Sequence, residues 1–188
     1  MTKAKVREKY QGLSRQELLD KAYELGSDFE KNSVGCSQCT VAAIHELLEM
    51  DDIVVKVANS LSGGSGLQML GTCGALSGGI IALDYYFGRP AERMSYQETI
   101  QAYKDEFFAA TEAPGLLADR FVNEYGTFIC AQLQRKLFGR FYWVKDPEEM
   151  EKINAAGAHS DPAKCSHIVG NAARWVMEIL LDKDVIKL

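Results

Sequence analysis

Five cysteines are the residues of this 188-residue chain best equipped for chemistry. Cys36, Cys73, Cys130 and Cys165 each fall at or near the expected first turn of a helix. Unpaired N–H groups and the positive end of the helix dipole favour a thiolate there, and the thiolate is the form that binds metal or attacks a disulfide. Four such positions along one chain point to helix ends converging on a sulfur-lined site. Cys39 adds a Cys-x-x-Cys spacing with Cys36, which puts both on one helix face. That supports a second reading, thiol–disulfide chemistry, with a lowered pKa at Cys36 and Cys39 as the resolving thiol. A third reading places zinc or copper on the same thiols. The isolated cysteines match neither the two close ligand pairs of a structural zinc site nor a ferredoxin-type run. Thr40 follows Cys39 where covalent haem attachment needs histidine.

The other polar side chains carry weaker signals. His45 borders the apolar face of its helix and reads as structural, His159 falls in a loop, and His167 points away from Cys165. Asp51-Asp52 and Glu148-Glu149 sit where helix caps and first-turn acids belong. The stretch Ser62–Gly71 (SGGSGLQMLG) is glycine-rich but lacks the Lys-Ser/Thr of a phosphate loop.

Nearly every segment that must position these cysteines reads as helix. Ser14 and Glu17 form a capping box for a helix over 15–30, with Leu18, Ala22, Leu25 and Phe29 at helical spacing. Further helices are expected at 36–50, 53–61 and 73–87, the last capped by Thr72. Gly74, Gly78 and Ala82 give that helix one bare face, suited first to tight helix packing and second to a cofactor. Ser95 and Glu98 suggest a second capping box and a helix to about 111, with Ile100, Tyr103 and Phe107 inward. Pro114 and Gly115 should interrupt before a helix over 116–124, and Thr127 should cap one over 128–138. Asp146-Pro147 and Asp161-Pro162 each read as a helix start. The expected fold is an all-α, compact single-domain multi-helix bundle over residues 1–188, with a flexible segment at 1–13.

Composition narrows the function classes. The chain is 47% hydrophobic and 25% charged, with net charge −5 and no basic stripe, so nucleic acid is not an expected partner. No apolar run approaches the roughly 20 residues of a membrane span. Residues 1–10 are polar, without the apolar stretch of a secretory signal, which sets the expectation of a cytoplasmic protein. In that compartment cysteines serve metal or redox chemistry more than structural disulfides. The aromatic segments Tyr85–Phe87 and Phe141–Trp143 read as core or interface, the latter suited to a homodimer.

One combination of motifs is more specific. Cys36-Ser37-Gln38 opens an apolar helix, Gly63, Gly64 and Gly66 follow, and Cys73-Gly74-Ala75-Leu76-Ser77-Gly78 forms a C-G-A-x-x-G motif. Cys130 then stands alone in a helix, and Cys165 precedes Val169, Ala172 and Ala173. In order and spacing, over roughly Ala22 to Leu181, the chain resembles the C-GCAxxG-C-C family, a family named for redox activity. A similar domain in split-Soret cytochrome is associated with an iron–sulfur centre. The resemblance implies an iron–sulfur cluster on Cys36, Cys73, Cys130 and Cys165, in an electron-transfer or redox role with a partner protein. Gly74 would leave room for the cluster, Gly64 or Gly66 would donate N–H bonds to sulfur, and Cys39 could serve as an extra ligand. The chain departs from the family pattern in three places. Cys39 replaces a small residue, Leu67 and Gln68 stand where the loop often carries arginine, and the segment 141–159 is long enough to form a lid or an interface.

Overall fold

The computed structural model describes residues 3–94 and 100–188, apart from the side chains of residues 100, 102 and 103. The α-helices are α1 (Arg15–Ser33), α2 (Cys36–Leu47), α3 (Asp52–Val57), α4 (Gly74–Phe87), α5 (Ile100–Tyr125), α6 (Cys130–Phe138), α7 (Pro147–Ala155) and α8 (Cys165–Asp182). Among the described residues there are no strands, only two isolated antiparallel bridges, Val6 with Leu48 and Thr72 with Ile129. The fold is all-α, as the sequence suggested.

Helix α8 forms the axis of the core. Ile168, Val169, Ala172, Ala173, Val176 and Met177 are buried on it, and α1, α2, α4 and α5 pack around it. Its closest neighbour is α1. A Cβ added at Gly26 would lie 2.9 Å from the Val169 carbonyl oxygen, and one at Gly170 would lie 2.9 Å from the Tyr23 carbonyl oxygen. The two backbones can touch only because both positions lack side chains. Each fully buried leucine or isoleucine around this axis, such as Leu18, Ile44, Leu83 and Leu117, contributes about 1.5–3 kcal/mol.

Two helix starts follow the sequence signals closely. Glu17 N donates to Ser14 Oγ at 3.3 Å and Ser14 N donates to Glu17 Oε2 at 2.8 Å, completing the capping box. Asp146 accepts from the backbone N–H groups of Glu148 and Glu149 at the start of α7.

Elsewhere packing changes the expectation. Helix α5 continues through Pro114 instead of breaking there. Pro114 removes one hydrogen bond, but Ala113, Leu117 and Phe121 form a buried stripe across it. Phe107, expected inward, is 47% exposed. The capping box at Ser95 and Glu98 lies outside the described residues. Asp161 accepts from Ala163 N within a turn, and α8 begins only at Cys165. Thr72 is not the cap of α4, since Cys73 holds that position, and Ile129 rather than Thr127 caps α6. Helix α2 stops at Leu47 because the chain turns extended to meet residues 5–7: Arg7 N donates to Leu47 O, and Glu49 N to Lys5 O. With Ala4 N bonded to Val185 O, the segment read as flexible is fastened at three points.

Candidate functional site

All four predicted cysteines stand at helix starts. Cys36, Cys130 and Cys165 are the first residues of α2, α6 and α8, and Cys73 is the N-cap of α4. Local backbone devices bring them together. Val34 and Gly35 both take positive φ, 55° and 118°, and turn the chain sharply from α1 into α2. Cys73 N donates to Phe128 O at 2.7 Å and Cys130 N to Gly71 O at 2.9 Å, so the Thr72–Ile129 bridge fixes the starts of α4 and α6 side by side. Cys165 N donates to Ala158 O at 3.1 Å, which ties α8 to the segment after α7.

The four cysteines line one cavity of about 110 Å³. Its remaining wall is largely apolar, including Leu67, Met69, Leu133, Leu137, Val144 and Ile153. Cys130 Sγ lies 3.8 Å from Met69 Sδ, and Gln134 Nε2 lies 3.3 Å from that same sulfur. Gly74 is shaped to this site, because a Cβ there would lie 2.3 Å from Cys36 Sγ. A Cβ on Gly78 would lie 2.2 Å from the Ser37 carbonyl oxygen, so one turn along, the bare face of α4 serves backbone packing against α2. Val34, Leu67 and Met69 hold left-handed φ values of 55°, 57° and 61° around the cavity. Such strain in bulky residues persists only where surrounding structure enforces it, and it concentrates at functional sites. Residues 141–159 close one side: Val144, Met150, Ile153, Ala158 and His159 all face the cavity. Tyr142 is buried against Phe138 there, so part of the aromatic segment builds this wall.

A family model described as "Putative redox-active protein (C_GCAxxG_C_C)" matches residues 34–179. The chain belongs to that family. No curated protein matches the chain, and no solved structure does. For this member of the C_GCAxxG_C_C family the matched span holds all four cavity cysteines and Cys39.

The electrostatics of the cavity correct one expectation. Cys36 was expected to have a lowered pKa, but its thiol is pushed well above the ordinary value. The causes are its hydrogen-bonding interaction with Cys73, then burial, then the negative charges of Glu30 and Cys73; a backbone hydrogen bond from Gly63 pulls the other way. Burial, then the charges of Glu30, Cys36 and Cys130, raises Cys165. Burial and the charge of Cys36 push Cys130 up to about 12. The magnitudes explain why the helix starts do not prevail. A helix terminus favours a nearby charge by about 0.3–1 kcal/mol, whereas burying an unpaired charge costs several. At Cys36, Cys130 and Cys165 burial and neighbouring negative charge therefore outweigh the helix starts.

The remaining predicted residues divide clearly. Cys39 is 4% exposed and does not line the cavity; burial and then the Glu30 carboxylate raise its thiol pKa. Cys73, unlike Cys39, shares the cavity with Cys36. Gly64 packs its backbone against Met69 and Gly71, and Gly66 faces open space, so Gly63 is the loop glycine at the cavity. His45 pairs with Asp52 at 2.9 Å, and His167 with Tyr23 Oη at 2.7 Å, both away from the sulfurs. Sequence reasoning missed Glu30, which is buried in the cavity wall and pairs with His159. Its position four residues after Gly26 on the buried side of α1 was the available signal. Among the described residues no three His, Cys, Asp or Glu side chains stand close enough together to hold a metal ion. No helix among them is long and apolar enough to cross a membrane.

Proposed function

We propose that this redox-family protein holds an iron–sulfur cluster on Cys36, Cys73, Cys130 and Cys165 and transfers electrons through it to a partner protein. The observation that supports this best is the placement of four cysteines, from four separate helix starts, around one small apolar cavity. The donor set fits, since iron–sulfur clusters are held by cysteine thiolates. Helix N-termini favour an anionic group, and the bare Gly74 leaves the space that Cys36 Sγ occupies. Ligation calls for the thiols to draw closer than they stand. A bound cluster would supply a one-electron couple. The chain's own part is to exclude water with the apolar wall, to set the sulfurs with the Thr72–Ile129 bridge, and to bring the Gly63 backbone to the cavity that Cys36 lines.

The test is anaerobic reconstitution with iron and sulfide, read by metal content, visible absorbance and EPR. Serine at any of the four cavity cysteines should lower iron retention, while Cys39→Ser should load like the parent. Equal loading of all five variants would sink the proposal. Zinc or copper in place of iron would assign the site to metal handling.

A second reading is favoured by one placement: Cys36 and Cys73 line the same cavity, and Cys36 Sγ lies against Gly74, the residue after Cys73. As a dithiol this pair would pass two electrons and two protons to an oxidant on forming a disulfide. The pair so implied is Cys36 and Cys73, because Cys39 lies off the cavity.

A further inference from the structure

Glu30 sits in the last turn of α1 and is only 1% exposed, although it is a carboxylate in a largely apolar wall. Its backbone carbonyl accepts from Val34 N at 3.3 Å, so the residue also anchors the turn that delivers Cys36. Oε1 meets His159 Nδ1 at 3.0 Å, while Oε2 is buried with no hydrogen-bond partner among the described residues. The Cys39 thiol interacts with this carboxylate through its charge and a side-chain hydrogen-bonding contact, which falls short of the geometry of a full hydrogen bond at Oε2. Among the described residues His159 is the one basic side chain that pairs with Glu30. A buried carboxylate oxygen left in this state is strongly unfavourable unless something compensates it. Besides His159, the side chains lining the cavity are four thiols, Ser62, Gln134 and apolar groups, none of which supplies a positive charge.

We infer that Glu30 is a fifth, oxygen ligand to the metal held by the four cavity cysteines, added at one metal atom beyond its thiolate, and that His159 is the positioning residue that orients its carboxylate. The inference rests on the metal reading given above. A carboxylate ligand fixed by a hydrogen bond from a second side chain is a recurring arrangement at metal sites, and carboxylate oxygen suits iron and zinc as thiolate does. His159 is well placed for the task. It comes from the segment between α7 and α8 that closes the cavity, and its side chain is 23% exposed, so one end reaches solvent and the other holds Glu30. Glu30 lies just before the span matched by the family model, so the family pattern of cysteines does not include it.

The experiment uses the full chain loaded anaerobically with iron and sulfide. X-ray absorption at the iron edge of the parent protein should show an oxygen scatterer beside sulfur. Glu30→Gln keeps the size of the side chain and its hydrogen bond to His159. It should release iron to a chelator at least about tenfold more readily, lose the oxygen scatterer and change the EPR g-values. His159→Ala should move the same readouts less, and His159→Asn, which keeps a donor, should restore part of the loss. A first shell of sulfur alone in the parent overturns the inference while leaving the cluster reading intact, even if Glu30→Gln fails to fold. Unchanged retention and spectra in a folded Glu30→Gln protein do the same. A parent protein that takes up no metal overturns both.

Discussion

Gly26 and Gly170 on one side of the molecule, and Gly74 and Gly78 on the other, answer the same steric demand for different purposes. The first pair lets the backbones of α1 and α8 touch, deep in the core. In the second pair Gly78 does the same for α4 and α2, but Gly74 makes room for a sulfur atom. The difference teaches that a small-residue stripe is not one feature. Along a single helix face it passes, in one turn, from supporting the fold to shaping the site. The core side is tight because each glycine faces a carbonyl oxygen of the other helix at 2.9 Å. The site side can yield only in part, because Gly74 faces the tip of a side chain, Cys36 Sγ at 2.3 Å, together with the Ser37 nitrogen and the Ser62 Cα at 3.0 Å.

This contrast can be broken by substitution. Gly78→Ala should have the largest effect. The added methyl meets the Ser37 carbonyl, carbon and Cα together, and we expect a loss of about 3 kcal/mol, or failure to fold, in urea melts. The gain in helix propensity, about 1 kcal/mol, does not offset it. Gly170→Ala should cost about 2 kcal/mol through its clash with Tyr23, without altering iron loading. Gly74→Ala should reverse that pattern. Stability should fall by about 1–2 kcal/mol, because Cys36 Sγ can rotate aside while the Ser37 nitrogen and Ser62 Cα, at 3.0 Å, must shift slightly, and iron retention should drop to the level expected for Cys36→Ser. Ser14→Ala, far from the cavity, should cost about 1 kcal/mol of stability and leave iron uptake unchanged.

The cavity side should also carry a pH dependence. Cys130 in the folded chain holds its proton up to about 12, while an exposed thiol loses its proton near 8.5. Above roughly pH 8.5 the unfolded chain therefore binds fewer protons than the folded one. This stability is fully present below that pH and is lost as the pH rises toward 12. Urea midpoints of metal-free protein should fall between pH 8 and 10, and substitution of Cys130 by alanine should flatten the slope.

Much of this architecture was legible in the sequence where the signal is local. The Ser14–Glu17 box, the Asp146-Pro147 start and the helix-start placement of four cysteines depend on residues within one turn of each other, and they form as read. What failed was decided by distant packing. Pro114 looks like a break, but a buried stripe carries α5 through it. Residues 1–13 look loose, but Leu47, Glu49 and Val185 supply hydrogen-bond partners to residues 4–7 that no local pattern announces. At the site, helix starts correctly pointed to the sulfurs, yet burial and accumulated negative charge reversed the expected pKa of Cys36. Cys39, an obvious partner by spacing, faces the core, and Glu30 was hidden because a glutamate on a helix normally reads as solvent-exposed.

The central claim is that the cavity is built for a cluster on four cysteines, and its most direct test is the iron and acid-labile sulfide content of protein purified without oxygen. Iron and sulfide together, lost on replacing Cys73 with serine, are the predicted result. A colourless protein with neither, which still gains none after reconstitution, would contradict it.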